Sequence, residues 1–152
     1  MKSMARASDK AEIVRRLKAV RAECPRRWGR MSAHQMVCHL SDAFRHVTQQ
    51  KQASAATSVL QATLIKWLAL YAPLRWPRDV PTRPEMDQEF GGTTPGDFAA
   101  DLAELESLLE IVTTWNKDYE WPSHPIFGRM SEAAWMRWAY LHMDHHLRQF
   151  GL

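Results

Sequence analysis

Two cysteines in 152 residues are too few for a disulfide-stapled scaffold. Cys24 and Cys38 also lack the paired spacing of a zinc knuckle or a redox motif, so both are expected to be reduced thiols. No segment approaches the ~18 uninterrupted apolar residues of a membrane span. The opening MKSMARASDK has no apolar stretch of the kind that marks a secretory signal. Membrane insertion and export are therefore not expected, and a cytoplasmic location is. Inward-facing Glu-x-x-His pairs, which a di-iron carboxylate bundle requires, are missing. The zinc-protease pattern is missing too, because Met143 stands where the general-base glutamate would follow the first histidine. Internal repeats and low-complexity tracts are absent.

What remains is the composition of a compact globule: 45% hydrophobic residues, 24% charged and seven tryptophans, expected to form one domain over residues 1–152. The net charge of +3 is unevenly spread, with ten of the 20 basic residues but only Asp9, Glu12 and Glu23 of the acidic ones in the first 30 positions. Such a segment could touch nucleic acid or an anionic membrane. The simpler reading is a solvated helix face, with Ile13, Leu17 and Val20 turned inward and Arg15, Arg16, Lys18 and Arg21 around them; no nucleic-acid partner is expected.

Punctuation places four long amphipathic helices. The first is expected over about 9–23, opened by Asp9 and Glu12 and stopped before Pro25. The second opens on Ser32-Ala33-His34-Gln35, a capping box with Met31 and Met36 as its staple, and runs to about 50. After a forty-residue crossover, the third opens with Thr94 as cap and Pro95 in its first turn, and ends near 116. The fourth starts at Ser131 and continues to about 149. The crossover carries an extra short helix around Val59–Tyr71, halted by Pro73, and then a proline-rich strap. That segment, 58–76, is expected to pack on the helices or on a second subunit and not to lie in a membrane. A crossover this long returns the chain to its starting end, so the expected fold is all-α: a four-helix bundle of up-down-down-up topology.

The chemistry concentrates in the last helix. At about 100° per residue, Trp135, Trp138, Ala139, His142, His146 and Gln149 fall on one face, with Arg137, Tyr140, Asp144 and Arg148 opposite. His142 and His146 are one turn apart in the middle of the inward stripe, where two bare imidazoles are costly unless each nitrogen has a partner. Hydrogen-bonded core histidines are one explanation; a shared metal ion is the other, and it accounts for both at once. A third ligand must come from elsewhere, and His39, mid-helix at the rim of the second helix's apolar stripe, is the best candidate. Three imidazoles leave open positions for water or substrate. Gln149, Asp42 and His46 lie within two turns of these ligands and are candidates to orient them or to touch substrate.

Two stretches make a family resemblance specific: Met31-Ser-Ala-His-Gln-Met-Val-Cys-His39-Leu40, and His124-Pro125-Ile-Phe127-Gly128 followed by His142-x-x-x-His146-x-x-Gln149. Together they resemble the DinB/YfiT-like superfamily, in particular its DUF1569 branch. The resemblance implies an up-down-down-up bundle with a metal held by one histidine of the second helix and a His-x-x-x-His pair of the fourth, here His39, His142 and His146. It implies homodimers and one divalent ion, zinc or nickel. Some relatives are thiol S-transferases that use a low-molecular-weight thiol, or maleylpyruvate isomerases; others are hydrolases. The expected function is thus metal-assisted thiol transfer or hydrolysis of a small-molecule substrate. The alternative is a non-catalytic, stress-related binding protein with a structural metal.

Overall fold

A computed structural model describes residues 1–114 and 118–152. Among the described residues, five α-helices carry the fold: α1 (Ala7–Leu17), α2 (Ala33–Val47), α3 (Lys66–Tyr71), α4 (Phe98–Thr114) and α5 (Glu132–Gln149). A π-helical turn at Gln61–Ile65 leads into α3, and a 3-10 turn at Pro84–Met86 lies in the strap that follows. The described residues form no strand beyond an isolated bridge between His124 and Gly128. None of their helices is long and apolar enough to cross a membrane.

Cross-helix contacts set the directions. Met4 meets Met136, Glu12 meets Tyr140 and Arg16 meets Asp144, so α1 and α5 run the same way. His34 meets Asp101 and Arg45 meets Glu104, so α2 and α4 also run together. His39 lies beside His142 and His146 while Phe44 lies beside Trp138, which makes α2 and α5 antiparallel. The parallel α2–α4 pair is what a long crossover permits and a short hairpin loop would forbid. Near the start of that pair, Asp101 accepts hydrogen bonds from the Gly96 N–H (3.0 Å) and the Cys38 thiol (3.6 Å) and pairs with the His34 ring (2.6 Å). Burial first, and then Asp101, push the Cys38 thiol up to about 12, so it behaves as a packing residue.

Helix starts match the sequence signals at α2 and α5. Ser32 Oγ accepts from the Gln35 N–H at 3.1 Å while the Ser32 N–H donates to Gln35 Oε1 at 2.8 Å. Ser131 caps α5 through the Ala134 N–H. Other boundaries differ. Helix α1 starts at Ala7 and stops at Leu17, not near 23: Arg21 turns back and donates to the carbonyls of Lys18 and Val20, at 2.8 Å each, satisfying groups that a continuing helix would use. Asp9 is not its cap but sits inside the first turn, where it accepts from the Ser3 N–H. Helix α2 ends at Val47, three residues short of expectation. Helix α4 is capped by Asp97, whose carboxylate accepts from the Ala100 N–H at 2.9 Å, and not by Thr94, because the intervening Gly96 N–H points to Asp101. Its expected end near 116 lies outside the described residues.

The core is continuous from Ile13 and Leu17 through Leu40, Phe44, Leu105 and Leu109 to Trp135, Met143 and Leu147, all of them at most 1% exposed. Helix α5 is buried on two faces, since α1 covers the side carrying Met136, Tyr140 and Met143. The face opposite the histidines is thus partly interior, with Asp144 bridging Arg16 and Arg148 at its edge. Helix α3 rests on α5 through buried Leu70, whose carbonyl accepts from Arg137 Nε at 2.9 Å. Leu60 and Leu64 before it, and Trp67 and Tyr71 on it, remain exposed.

Candidate metal centre

His39, His142 and His146 come together although α2 and α5 are a hundred residues apart in sequence. Their ring centroids form a nearly equilateral triangle with sides of 5.2, 4.8 and 4.9 Å, and all three residues are buried. One ligating nitrogen from each lies within 4.8 Å of the other two. Among the described residues, no fourth histidine, cysteine or carboxylate joins this group.

The proton positions follow from the partners. His39 Nδ1 faces the Met86 carbonyl at 2.8 Å, so it must be the N–H and Nε2 carries the lone pair. His146 Nδ1 faces Gln149 Oε1 at 3.0 Å, and the Gln149 amide is itself oriented by donating from Nε2 to the Trp28 carbonyl at 2.9 Å. His146 therefore also presents Nε2 as a lone pair. A Cβ at Gly29 would lie 2.5 Å from that glutamine amide, and φ at Gly29 is +74°, so glycine serves there for both space and conformation.

His142 is the odd member. Its Nε2 lies 3.2 Å from His39 Nε2, and its Nδ1 is buried without a partner. With its proton on Nδ1, two lone pairs face each other; with its proton on Nε2, a buried lone pair is left on Nδ1. A cation among the three rings takes all three Nε2 lone pairs and removes the conflict between them. The donor set therefore fits a borderline divalent ion that accepts imidazole nitrogen. Burial lowers the pKa of all three histidines, with a further contribution at His142 from His146 and His39 and at His146 from His39. The rings are thus held in the neutral form that ligation needs.

Of the residues expected around these ligands, only Gln149 touches one. Asp42 is fully buried, but its carboxylate accepts from the Thr93 N–H and hydroxyl at 2.7 and 2.6 Å and pairs with Arg45 and Lys51, anchoring the strap instead of His39. His46 lines the same cavity as the triad, yet its ring nitrogens face the carbonyls of Lys51 and Ser123, both at 3.2 Å. The partner that orients His39 is the Met86 carbonyl, a backbone group in a 3-10 turn that no side-chain pattern announces. His145 lies outside the triad and packs edge-on against Trp28 and tilted against Trp76, each at 6.0 Å.

The triad opens into a cavity of about 780 Å³, lined mainly by apolar side chains. Trp28, Trp76, Trp135 and Trp138 form much of its wall, with Leu68 and Leu74 from the crossover above them. Trp138 lies 4.8 Å from His142 and Trp76 lies 6.1 Å from it, so aromatic rings flank the ligands directly.

The DUF1569 family, described as proteins of unknown function, matches residues 6–151, and the chain belongs to it. No curated protein and no solved structure shows a significant match.

Proposed function

We propose that this member of the DUF1569 family is a metal-dependent enzyme on an up-down-down-up four-helix bundle of the DinB-like kind, acting on a small molecule by thiol transfer or hydrolysis. One observation carries this: three buried imidazoles converge on one point at the floor of an apolar cavity, two of them with Nδ1 hydrogen bonds that leave Nε2 free. The bundle topology is supported by the parallel α1–α5 and α2–α4 pairs and the antiparallel α2–α5 pair.

His39, His142 and His146 would hold the ion, with zinc or nickel preferred by an all-imidazole set. When bound there, a divalent ion supplies Lewis acidity that brings a thiol or water to its nucleophilic form near neutral pH. The chain's own contributions are orientation and exclusion of water. Met86 and Gln149 fix two rings through their Nδ1–H groups. The tryptophans leave little polar surface for bulk water to wet, which strengthens electrostatic interactions inside. Three protein ligands, with no fourth among the described residues, favour a catalytic role over a closed structural one.

The test uses protein purified without a histidine tag. Elemental analysis after zinc or nickel addition is expected to give about one equivalent. Metal-loaded and chelated samples are then compared for transfer of a small thiol to an activated aryl halide and for hydrolysis of an aryl ester. Metal-dependent turnover in either assay supports the proposal; less than a tenth of an equivalent bound would overturn it and leave hydrogen-bonded core histidines.

A further inference from the structure

The His124-Pro125-Ile126-Phe127-Gly128 stretch folds into a tight turn that clamps one imidazole. The His124 N–H donates to the Gly128 carbonyl, and the Gly128 N–H donates back to the His124 carbonyl, both at 2.9 Å. Gly128 takes φ +65°, the left-handed conformation that glycine adopts without penalty. Inside the turn, His124 Nδ1 accepts from the N–H groups of both Ile126 and Phe127, each at 3.1 Å. A ring nitrogen that accepts two donors carries no proton, so the hydrogen of the neutral ring is on Nε2. Burial, with a smaller effect from His46, pushes the His124 pKa down to about 3 and keeps the ring neutral through the physiological range.

The Nε2–H has no hydrogen-bond partner among the described residues, although His124 is only 7% exposed and borders the cavity. Its surroundings are aromatic: Phe127 stacks on the ring at 4.6 Å, and Trp138 and Trp135 approach at 5.3 and 5.4 Å. The indole Nε1 of Trp135 is a buried donor without a partner. Trp138 in turn touches His142, so the His124 donor is one indole away from the triad.

We propose that His124 is a specificity-determining residue whose Nε2–H orients an acceptor oxygen on a flat, aromatic-rich small molecule held between the tryptophans. This rests on the cavity being the substrate chamber, but not on the presence of metal. A chamber with aromatic walls and a donor fixed in place by its turn selects for an apolar body with a correctly placed carbonyl or ether oxygen. A molecule anchored by that oxygen presents its remaining length towards His142 and its partners.

The test titrates chelator-treated protein with 2-acetylnaphthalene and with 2-isopropenylnaphthalene, which share a shape and differ in C=O against C=CH₂. The wall tryptophans report binding by fluorescence. One neutral hydrogen bond predicts that wild type favours the ketone about five-fold. His124→Asn keeps a side-chain oxygen for the two N–H groups of the turn but withdraws the donor from the cavity, and the preference is expected to fall to about one. Should that variant misfold, the His124 Nε2–H proton resonance of wild type still decides, since it should move downfield with the ketone and not with the alkene. Equal affinities in wild type, an unmoved resonance, a preference retained by folded His124→Asn, or no binding of either probe would each overturn the proposal. With metal stripped from all samples, failure of the metal centre leaves these outcomes unchanged and shows only in the elemental analysis.

Discussion

Replacing Gln149 by leucine tests whether the triad is a built metal site. The side chain is 3% exposed and makes two hydrogen bonds, accepting from His146 Nδ1 at 3.0 Å and donating to the Trp28 carbonyl at 2.9 Å. Leucine preserves most of the volume and removes both. His146 then loses the partner that fixes its tautomer and ring orientation, a loss that typically weakens metal affinity about 10- to 100-fold. In free energy that is about 1.4–2.7 kcal/mol. The orphaned His146 N–H and Trp28 carbonyl add a separate stability cost of about 1–3 kcal/mol each. Zinc affinity is read by competition with a fluorescent chelator, and stability by urea denaturation of the metal-free proteins. Asp42→Asn is the control, because Asp42 stabilises the strap without touching a ligand and should lower the urea midpoint while leaving zinc affinity within about two-fold of wild type. Wild-type zinc affinity in folded Gln149→Leu would refute the reasoning, because it would mean that the His146–Gln149 contact does not orient a ligand.

Other outcomes follow from the same geometry. His146→Ala should abolish stoichiometric zinc binding while circular dichroism stays helical, whereas His145→Ala, outside the triad, should retain one equivalent in the same elemental analysis. Asp42→Ala should cost about 1–3 kcal/mol in urea, because the Thr93 N–H and hydroxyl lose their acceptor while Arg45 keeps its pair with Glu104. Burial opposes the Asp42 charge, but Thr93 and Lys51 hold its pKa below the usual value; its stabilisation is therefore full above about pH 4 and disappears as pH falls through the folded-state pKa. The metal-free protein should also weaken in mild acid: His39, His142 and His146 have lowered pKa values, so below about pH 6.5 the unfolded chain binds protons that the folded chain refuses. The urea midpoint should therefore fall between about pH 7.5 and 5.5; an unchanged midpoint would show that the rings are not held neutral by burial.

The parts legible in the sequence are those set by local chemistry. Ser32 with Gln35 and Ser131 with Ala134 mark helix starts because capping involves residues three apart. The spacing of His142 and His146 marks the candidate site because one helical turn stacks them on one face. Partners fixed by the tertiary arrangement were not legible. Asp42, one turn from His39, looks like its orienter, but Thr93 and Lys51 compete for the same carboxylate and win. The Met86 carbonyl that does orient His39 belongs to a backbone turn whose position depends on the whole crossover. The early end of α1 likewise depends on Arg21 folding back, a choice between helix and turn that periodicity leaves open.

His39 and His142 are 103 residues apart, and the Arg16–Asp144 contact spans 128. Helix α1 and the His39 side of α2 therefore wait for α5, whereas α2 can pack on α4 first. A nascent chain leaving the ribosome cannot capture an ion at this centre until its last helix has emerged. Until then, Phe44 lacks its Trp138 partner on α5. On the proposed reading, metal loading would require completed synthesis, because a chain truncated before α5 retains one of the three imidazoles.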